Sequence, residues 1–141
     1  MTYVLDASVA LCWVIPRPLT PAALRLRDQC QKRVRELIAP SHFPGEIANG
    51  LTKAERQKLI YLGEARRLIL DVLSTPPVLH SSTPLYYRAI DISSRTRSGF
   101  YDCLYVALAE REQCELVTAD DKLLRNLQPH FPFVVALASL P

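Results

Sequence analysis

The segment YVLDASVALCWVI, residues 3–15, places one acid between two apolar runs near the start of the chain. The first run, residues 3–5, is rich in side chains that favour strands, and the second predicts a helix over about residues 8–15. Similar short runs recur at residues 37–39, 78–79, 116–118 and 133–136. Helical patterns fill the intervals, at about residues 21–35, 43–58, 63–73, 85–96, 101–113 and 121–127. This alternation predicts an α/β fold around a mainly parallel sheet.

The size and composition of the chain are those of one globular domain. It has 141 residues, of which 49% are hydrophobic and 22% are charged. No linker, internal repeat or low-complexity tract divides it, so we expect a single domain over residues 1–141. The formal net charge of +3 is compatible with a polyanionic partner but does not require one.

The four cysteines form no C-x-x-C pair, and we expect them to be buried free thiols: Cys12, Cys30, Cys103 and Cys114. The first residues lack the basic and apolar pattern of a targeting segment. The longest apolar stretch, residues 7–16, is too short to span a bilayer. A reducing cytoplasm is therefore the expected compartment.

Two acids follow strands directly. Asp6 ends the first predicted strand, and Asp120 comes just after the fourth, residues 116–118. The carboxyl ends of parallel strands lie at the same edge of a sheet, and open α/β sheets bind their ligands at that edge. We therefore expect both carboxylates at a functional crevice.

Two further acids stand near predicted helix starts. Glu46 follows a Pro-Gly pair, and Asp102 opens an apolar helix. Any one of the four acids has a structural alternative, because an acid in a first helical turn or at an N-cap stabilises the free backbone N–H groups there. The combination is more informative, since a helix that follows a strand begins at the edge where that strand ends. All four acids are therefore able to reach one crevice.

Clustered carboxylates repel each other unless protons or cations neutralise them. Oxygen ligands without paired His or Cys select hard divalent ions, Mg²⁺ or Mn²⁺, which also bind phosphate oxygens well. The acidic set in a basic protein therefore indicates a metal-dependent site that acts on phosphodiesters.

Four segments carry a resemblance to a known family: VLDASVA at residues 4–10, EIANGL at 46–51, YDCLYVALAE at 101–110 and LVTADDKL at 116–123. In this order and spacing they resemble the PIN-domain nucleases, and among these the VapC-type toxins of toxin–antitoxin pairs. The resemblance implies a three-layer α/β/α domain with a five-stranded parallel sheet. It also implies RNA cleavage with Mg²⁺ or Mn²⁺, homodimerisation and inhibition by a cognate antitoxin.

The resemblance also implies roles for individual residues. Asp6, Glu46, Asp102 and Asp120 would form the family's acidic quartet, and Asp6 and Asp102 would be the principal metal ligands. Glu46 and Asp120 would complete the site directly or through water. Asp121 stands beside Asp120 and is an alternative fourth acid, although the position after Thr118-Ala119 favours Asp120. The polar residues that would support the acids are Ser8, Asn49 and Thr118.

Other polar residues near the acids have weaker indications. His42 precedes Glu46 by four residues, but we expect Pro44-Gly45 to interrupt a helix there, so a ligand role is unfavoured. Lys53 shares a helical face with Glu46 and is a candidate to bind a phosphate, although a lysine exposed to solvent is the simpler interpretation. Basic residues also flank two acidic motifs and are candidates to bind an RNA backbone: Arg95, Arg97, Lys122 and Arg125.

Three other functions compete with this interpretation. A haloacid-dehalogenase-like phosphatase needs a second acid two residues after the first, and Ser8 stands there instead. A response-regulator receiver needs paired acids at its first strand and an isolated acid ending its third, and neither is present. A non-catalytic PIN-like module for RNA binding or scaffolding is the third alternative, and it predicts that Asp6→Asn and Asp102→Asn leave function intact.

Overall fold

A computed structural model describes residues 1–141 and contains one five-stranded, wholly parallel sheet. Its strands are β1 (Thr2–Leu5), β2 (Glu36–Pro40), β3 (Val78–His80), β4 (Glu115–Thr118) and β5 (Val134–Ala136). The helices are α1 (Ala7–Leu11), α2 (Thr20–Gln31), α3 (Phe43–Arg56), α4 (Ala65–Leu73), α5 (Tyr86–Thr96), α6 (Phe100–Glu112) and α7 (Asp121–Leu127). Two short 3₁₀ turns cover Thr83–Leu85 and Leu137–Ser139. The predicted α/β fold is confirmed.

The order of the strands determines where a ligand would bind. Across the sheet they run β3-β2-β1-β4-β5, so the chain starts at the centre, builds one half and then crosses to the other side of β1. The order reverses between β1 and β4, which pair with Leu5 opposite Val117. A sheet with this topology leaves a crevice outside the carboxyl ends of those two strands.

The core is formed mainly by the central strands and α6. Seven consecutive residues of α6, positions 103–109, are buried, which confirms the prediction of a helix that is apolar on nearly every side. This helix packs on β1, β2 and β4, and α5 packs over it, while α1 packs against α3 and β4. Helix α6 is 13 residues long, and no helix has the length and apolar character needed to cross a bilayer.

Two helices are shorter than the sequence predicted. Helix α1 ends at Leu11 and passes into turns before Pro16, where each N–H from Cys12 to Val14 bonds three residues back instead of four. Helix α2 ends at Gln31, because Arg33 adopts a left-handed conformation with φ of 59° that closes the helix.

All four cysteines are free thiols, as predicted, but only Cys12 and Cys103 are buried. Cys30 and Cys114 are half-buried, which corrects the expectation that all four lie inside the core. Their places explain the difference, since Cys30 lies near the end of α2 and Cys114 lies in the short connection from α6 to β4.

Candidate active site

Asp6 lies at the carboxyl end of β1 and exposes only 5% of its surface. Its backbone N–H donates to the carbonyl oxygen of Val117 at 3.1 Å, which joins it to β4. The Thr118 hydroxyl donates to Asp6 Oδ2 at 2.9 Å, and the Ser8 hydroxyl donates to the same oxygen. Ser8 and Thr118 therefore hold this carboxylate in place, which agrees with the supporting role predicted for them.

Asp120 caps the amino end of α7. Its Oδ1 accepts hydrogen bonds from the backbone N–H groups of Lys122 at 2.9 Å and Leu123 at 3.2 Å. Its own N–H donates to Thr118 Oγ1 at 3.1 Å. The capping alternative considered for this acid is thus realised, but only one of its two carboxylate oxygens takes part in the cap.

Glu46 and Asp102 lie in the first turns of α3 and α6. Together with Asp6 and Asp120 they line one open cleft of about 560 Å³. Asp121 lines the same cleft, so the structure brings both members of the acidic pair to one place. The remaining wall residues are Ala7, Ser8, Leu11, Arg17, Asn49, Gly50, Lys53, Gln57 and Ala119.

Burial and mutual repulsion change the acidity of two of these groups. The pKa of Asp6 is raised from 3.8 to about 7, mainly by loss of solvent and also by the charges of Glu46 and Asp102, although the hydrogen bonds from Ser8 and Thr118 lower it. Burial raises the pKa of Asp102 from 3.8 to about 6, with Asp120 and Glu46 contributing in the same direction. The four acids therefore act on one another through a shared electric field, as expected for one cluster.

The cluster fits a hydrated hard cation. No three His, Cys, Asp or Glu side chains converge closely enough to enclose one metal ion. Mg²⁺, however, keeps several waters and uses one or two carboxylates, and the donors here are oxygens alone. Asp6 and Asp102 form no ion pair with Lys or Arg, and their raised pKa values reflect buried negative charge that a cation would relieve.

His42 lies next to Glu46, although the sequence did not favour it as a metal ligand. It precedes the first turn of α3, and its Nε2 lies 2.8 Å from Glu46 Oε1, although the two atoms are not aligned for a hydrogen bond. Its ring lies between Tyr101 and Tyr105, with centroids 5.1 Å and 4.9 Å away. The expected interruption at Pro44-Gly45 is wrong, because proline fits the first helical turn, where its missing N–H has no partner to lose.

The basic residues divide into those that reach the cleft and those that do not. Lys53 lines it, and so does Arg17, which the sequence analysis missed because it lies in a Pro-rich loop without periodic pattern. Lys122 is close enough to lower the pKa of Asp102. Arg95 instead lines a separate cavity beside His130, so its proximity to Asp102 in sequence does not extend to the cleft. Arg97 and Arg125 are not among the residues that line the cleft.

The fold and the acidic cleft define a class of protein. A sequence profile of the PIN domain family matches residues 3–127, and the chain belongs to that family. The predicted resemblance is thereby confirmed.

Among the relatives is Ribonuclease VapC12 of Mycobacterium tuberculosis, which is 32% identical over 124 residues, 87% of this chain and 90% of that protein. The structure of PAE2754 from Pyrobaculum aerophilum has a TM-score of 0.72 at 23% identity and covers 99% of this chain and 85% of its own. The structure of VapBC2 from Rickettsia felis, bound to a DNA fragment from the promoter, has a TM-score of 0.64 at 16% identity. That match covers 96% of this chain and 97% of the other.

Proposed function

We propose that this protein is an endoribonuclease that uses Mg²⁺ or Mn²⁺ and is the toxin of a toxin–antitoxin pair. The observation that carries the proposal is the acidic cleft at the reversal point of the sheet, where Asp6 and Asp102 have raised pKa values and form no ion pair with Lys or Arg. The relationship to Ribonuclease VapC12 supports the same chemistry. We take residues 1–141 as one nuclease domain.

Asp6 and Asp102 are the residues that would hold the ion directly. Glu46 and Asp120 would complete the site directly or through water, since both line the same cleft. When bound, a divalent cation polarises the scissile phosphate and lowers the pKa of an attacking water. The chain's own part is to fix Asp6 with the Ser8 and Thr118 hydroxyls, so that its carboxylate does not rearrange when the ion arrives.

The RNA backbone would be held by the basic side chains of the cleft. Arg17 and Lys53 bring two positive charges to a wall that otherwise carries five acids. Phosphate contacts of this kind supply affinity that falls with salt and carry no sequence information. Each charge removed, as in Lys53→Gln, is expected to reduce the salt dependence of RNA binding.

The decisive experiment is induced expression of the wild-type protein and of Asp6→Asn, followed by mapping of new RNA 5′ ends across the transcriptome. The proposal expects new ends with the wild type and none with the variant. If the same new ends appear with both, the cleft is not catalytic. If no new ends appear with either protein, the non-catalytic module is favoured.

We further propose a cognate antitoxin, a homodimer and a cytoplasmic location. The similarity to VapBC2 supports the antitoxin. The exposed apolar side chains of α5, Tyr87 at 87% and Ile90 at 49%, support a covering partner such as a second copy. The four free thiols suit a reducing compartment. Light scattering of the purified chain tests the dimer, because a monomeric mass at micromolar concentration excludes it.

A further inference from the structure

A second cavity opens beside the acidic cleft. It has a volume of about 370 Å³ and lies between the end of α1 and the loop that leads into α2. The two spaces share Ser8, Leu11, Arg17, Ala119 and Asp121, so they form one continuous depression. A chain of nucleotides bound at the acids therefore has a neighbouring space to enter.

The walls of this cavity are chemically mixed. Leu11, Pro18 and Leu19 provide apolar surface, while Arg17 and Asp121 provide a guanidinium and a carboxylate. A nucleobase has the same combination, with two apolar faces and an edge of hydrogen-bond donors and acceptors. Arginine stacks on planar rings and donates to base acceptors, and aspartate accepts from base amino groups. The volume lies in the range typical of small-ligand pockets.

Three contacts within the chain form these walls. Leu11 lies against Gly50 of α3, where a Cβ atom would come within 2.5 Å of Leu11 Cδ1, so the glycine makes room for this wall. The loop is held by Thr20, whose hydroxyl accepts from the Arg17 N–H at 2.9 Å and donates to the Ile15 carbonyl at 3.3 Å. A preformed pocket loses little free energy to ordering when a ligand binds.

We propose that this cavity binds one unpaired nucleobase of the RNA, that of a nucleotide adjoining the phosphate held at the acids. The inference rests on the proposed ribonuclease function and deepens it, since the acids alone carry no base preference. Proteins read single-stranded RNA by stacking splayed-out bases and bonding to their edges. Arg17 reaches both spaces, which suits a side chain placed between a phosphate and the base next to it.

The test is cleavage of an RNA library with a randomised single-stranded segment, read by sequencing. Leu19→Trp fills the cavity, and Leu62→Trp adds the same ring at a position that is 92% exposed and lines neither space. We expect Leu19→Trp to lose the nucleotide preference at one position beside the cut. Cleavage of the preferred RNAs should fall roughly tenfold, which is the order of the discrimination that one good contact with a base edge supplies. Leu62→Trp should match the wild type, and equal preference in all three proteins overturns the inference.

A binding measurement separates this inference from the proposed function. The Asp6→Asn protein is titrated with a single-stranded RNA in which each nucleotide in turn lacks its base. The pocket predicts a loss of affinity of roughly tenfold at one position, the order of one contact with a base edge. If no position stands out, the pocket inference fails even when cleavage depends on Asp6. If one position stands out but no RNA is cut, the proposed function fails and the base pocket remains. This scan also decides the matter if Leu19→Trp does not fold.

Discussion

At the scale of single residues, burial of the Asp6 carboxyl at the site lowers the free energy of unfolding. Its carboxyl is buried, its pKa is raised to about 7, and the hydroxyls of Ser8 and Thr118 only partly compensate for the lost solvent. In the unfolded chain the same group ionises near 3.8. Between these two values the folded chain holds the extra proton, so the free energy of unfolding decreases as the pH rises.

We therefore predict that Asp6→Asn stabilises the metal-free protein at pH 8 and has little effect near pH 4. The amide carries no charge to desolvate, and its oxygen still accepts from both hydroxyls. The pKa difference corresponds to a gain on the order of 2–4 kcal/mol at pH 8. Urea unfolding of both proteins at the two pH values, with a chelator present, measures it.

Asp28→Asn provides the control for this prediction, because Asp28 is exposed and pairs only with Lys32 at 3.0 Å. Its effect should stay below about 1 kcal/mol at both pH values. A difference between Asp6→Asn and the wild type that is equal at pH 4 and pH 8 would show that folding does not raise the pKa of Asp6.

His42 allows a second prediction at this scale. His42→Phe keeps a ring between Tyr101 and Tyr105 but removes the nitrogen that lies 2.8 Å from Glu46 Oε1. We expect a Tm close to that of the wild type and Mn²⁺ binding weakened several-fold, because Glu46 loses a polar neighbour at the site. Calorimetric titration with Mn²⁺ measures the affinity. If His42→Phe binds Mn²⁺ as the wild type does, His42 serves only to fill space.

Asp6 and His42 also show which parts of the site could be predicted from the sequence. Asp6 was identifiable because it ends an apolar strand, and the end of a strand has a known place in a parallel sheet. The closeness of His42 to Glu46 was not expected because Pro44-Gly45 suggested a break, whereas proline is tolerated in the first turn that it occupies. Arg17 was missed for a different reason, since its position depends on the loop between α1 and α2, and loop geometry has no periodic pattern in sequence.

At the scale of elements, Asp120 has two roles at the start of α7. Asp120 caps the helix through Oδ1 and also lines the cleft. Substitutions separate the two roles, because asparagine is as good an N-cap as aspartate whereas alanine is not.

We predict that Asp120→Ala lowers stability by about 1 kcal/mol, while Asp120→Asn leaves stability nearly unchanged. Both variants should lose most cleavage of RNA, because both remove the negative charge from the cleft. Urea unfolding and cleavage assays on the same preparations test the two halves of the prediction. Full cleavage by Asp120→Asn would transfer the role of fourth acid to Asp121, which lines the same cleft.

The ends of the helices were predicted from the sequence less well than their existence. The existence of each helix and strand followed from short apolar runs and from the helical patterns between them, but α1 and α2 end earlier than predicted. The apolar pattern continues through Trp13 and Ile15 because these side chains are buried in turns as well as they would be in a helix. Trp13 even finds a partner there, since its Nε1 donates to the Ala23 carbonyl at 2.9 Å. Periodicity reports burial, and backbone hydrogen bonding decides where a helix ends.

At the scale of the whole molecule, the topology assembles the site. Asp6 and Asp120 are far apart in sequence, but β1 and β4 are neighbours at the point where the strand order reverses. Glu46 and Asp102 then arrive on helices that begin at the same edge. The sequence predicted the shared edge but not the strand order, which depends on how the helices pack on the two faces of the sheet.

Because the four acids come from elements across the whole sheet, binding of a cation should stabilise the entire fold. We predict that Mg²⁺ or Mn²⁺ at 100 times its dissociation constant raises the free energy of unfolding by about 2.7 kcal/mol, and that a chelator reverses the gain. At a fixed concentration of the ion, the gain should be larger at pH 8 than at pH 5, because a proton competes for Asp6 below about pH 7 and for Asp102 below about pH 6 and so weakens binding of the ion. Thermal melts with and without the ion measure the shift in Tm. Asp6→Asn should show little of it, and an equal shift in that variant would place the ion outside the cleft.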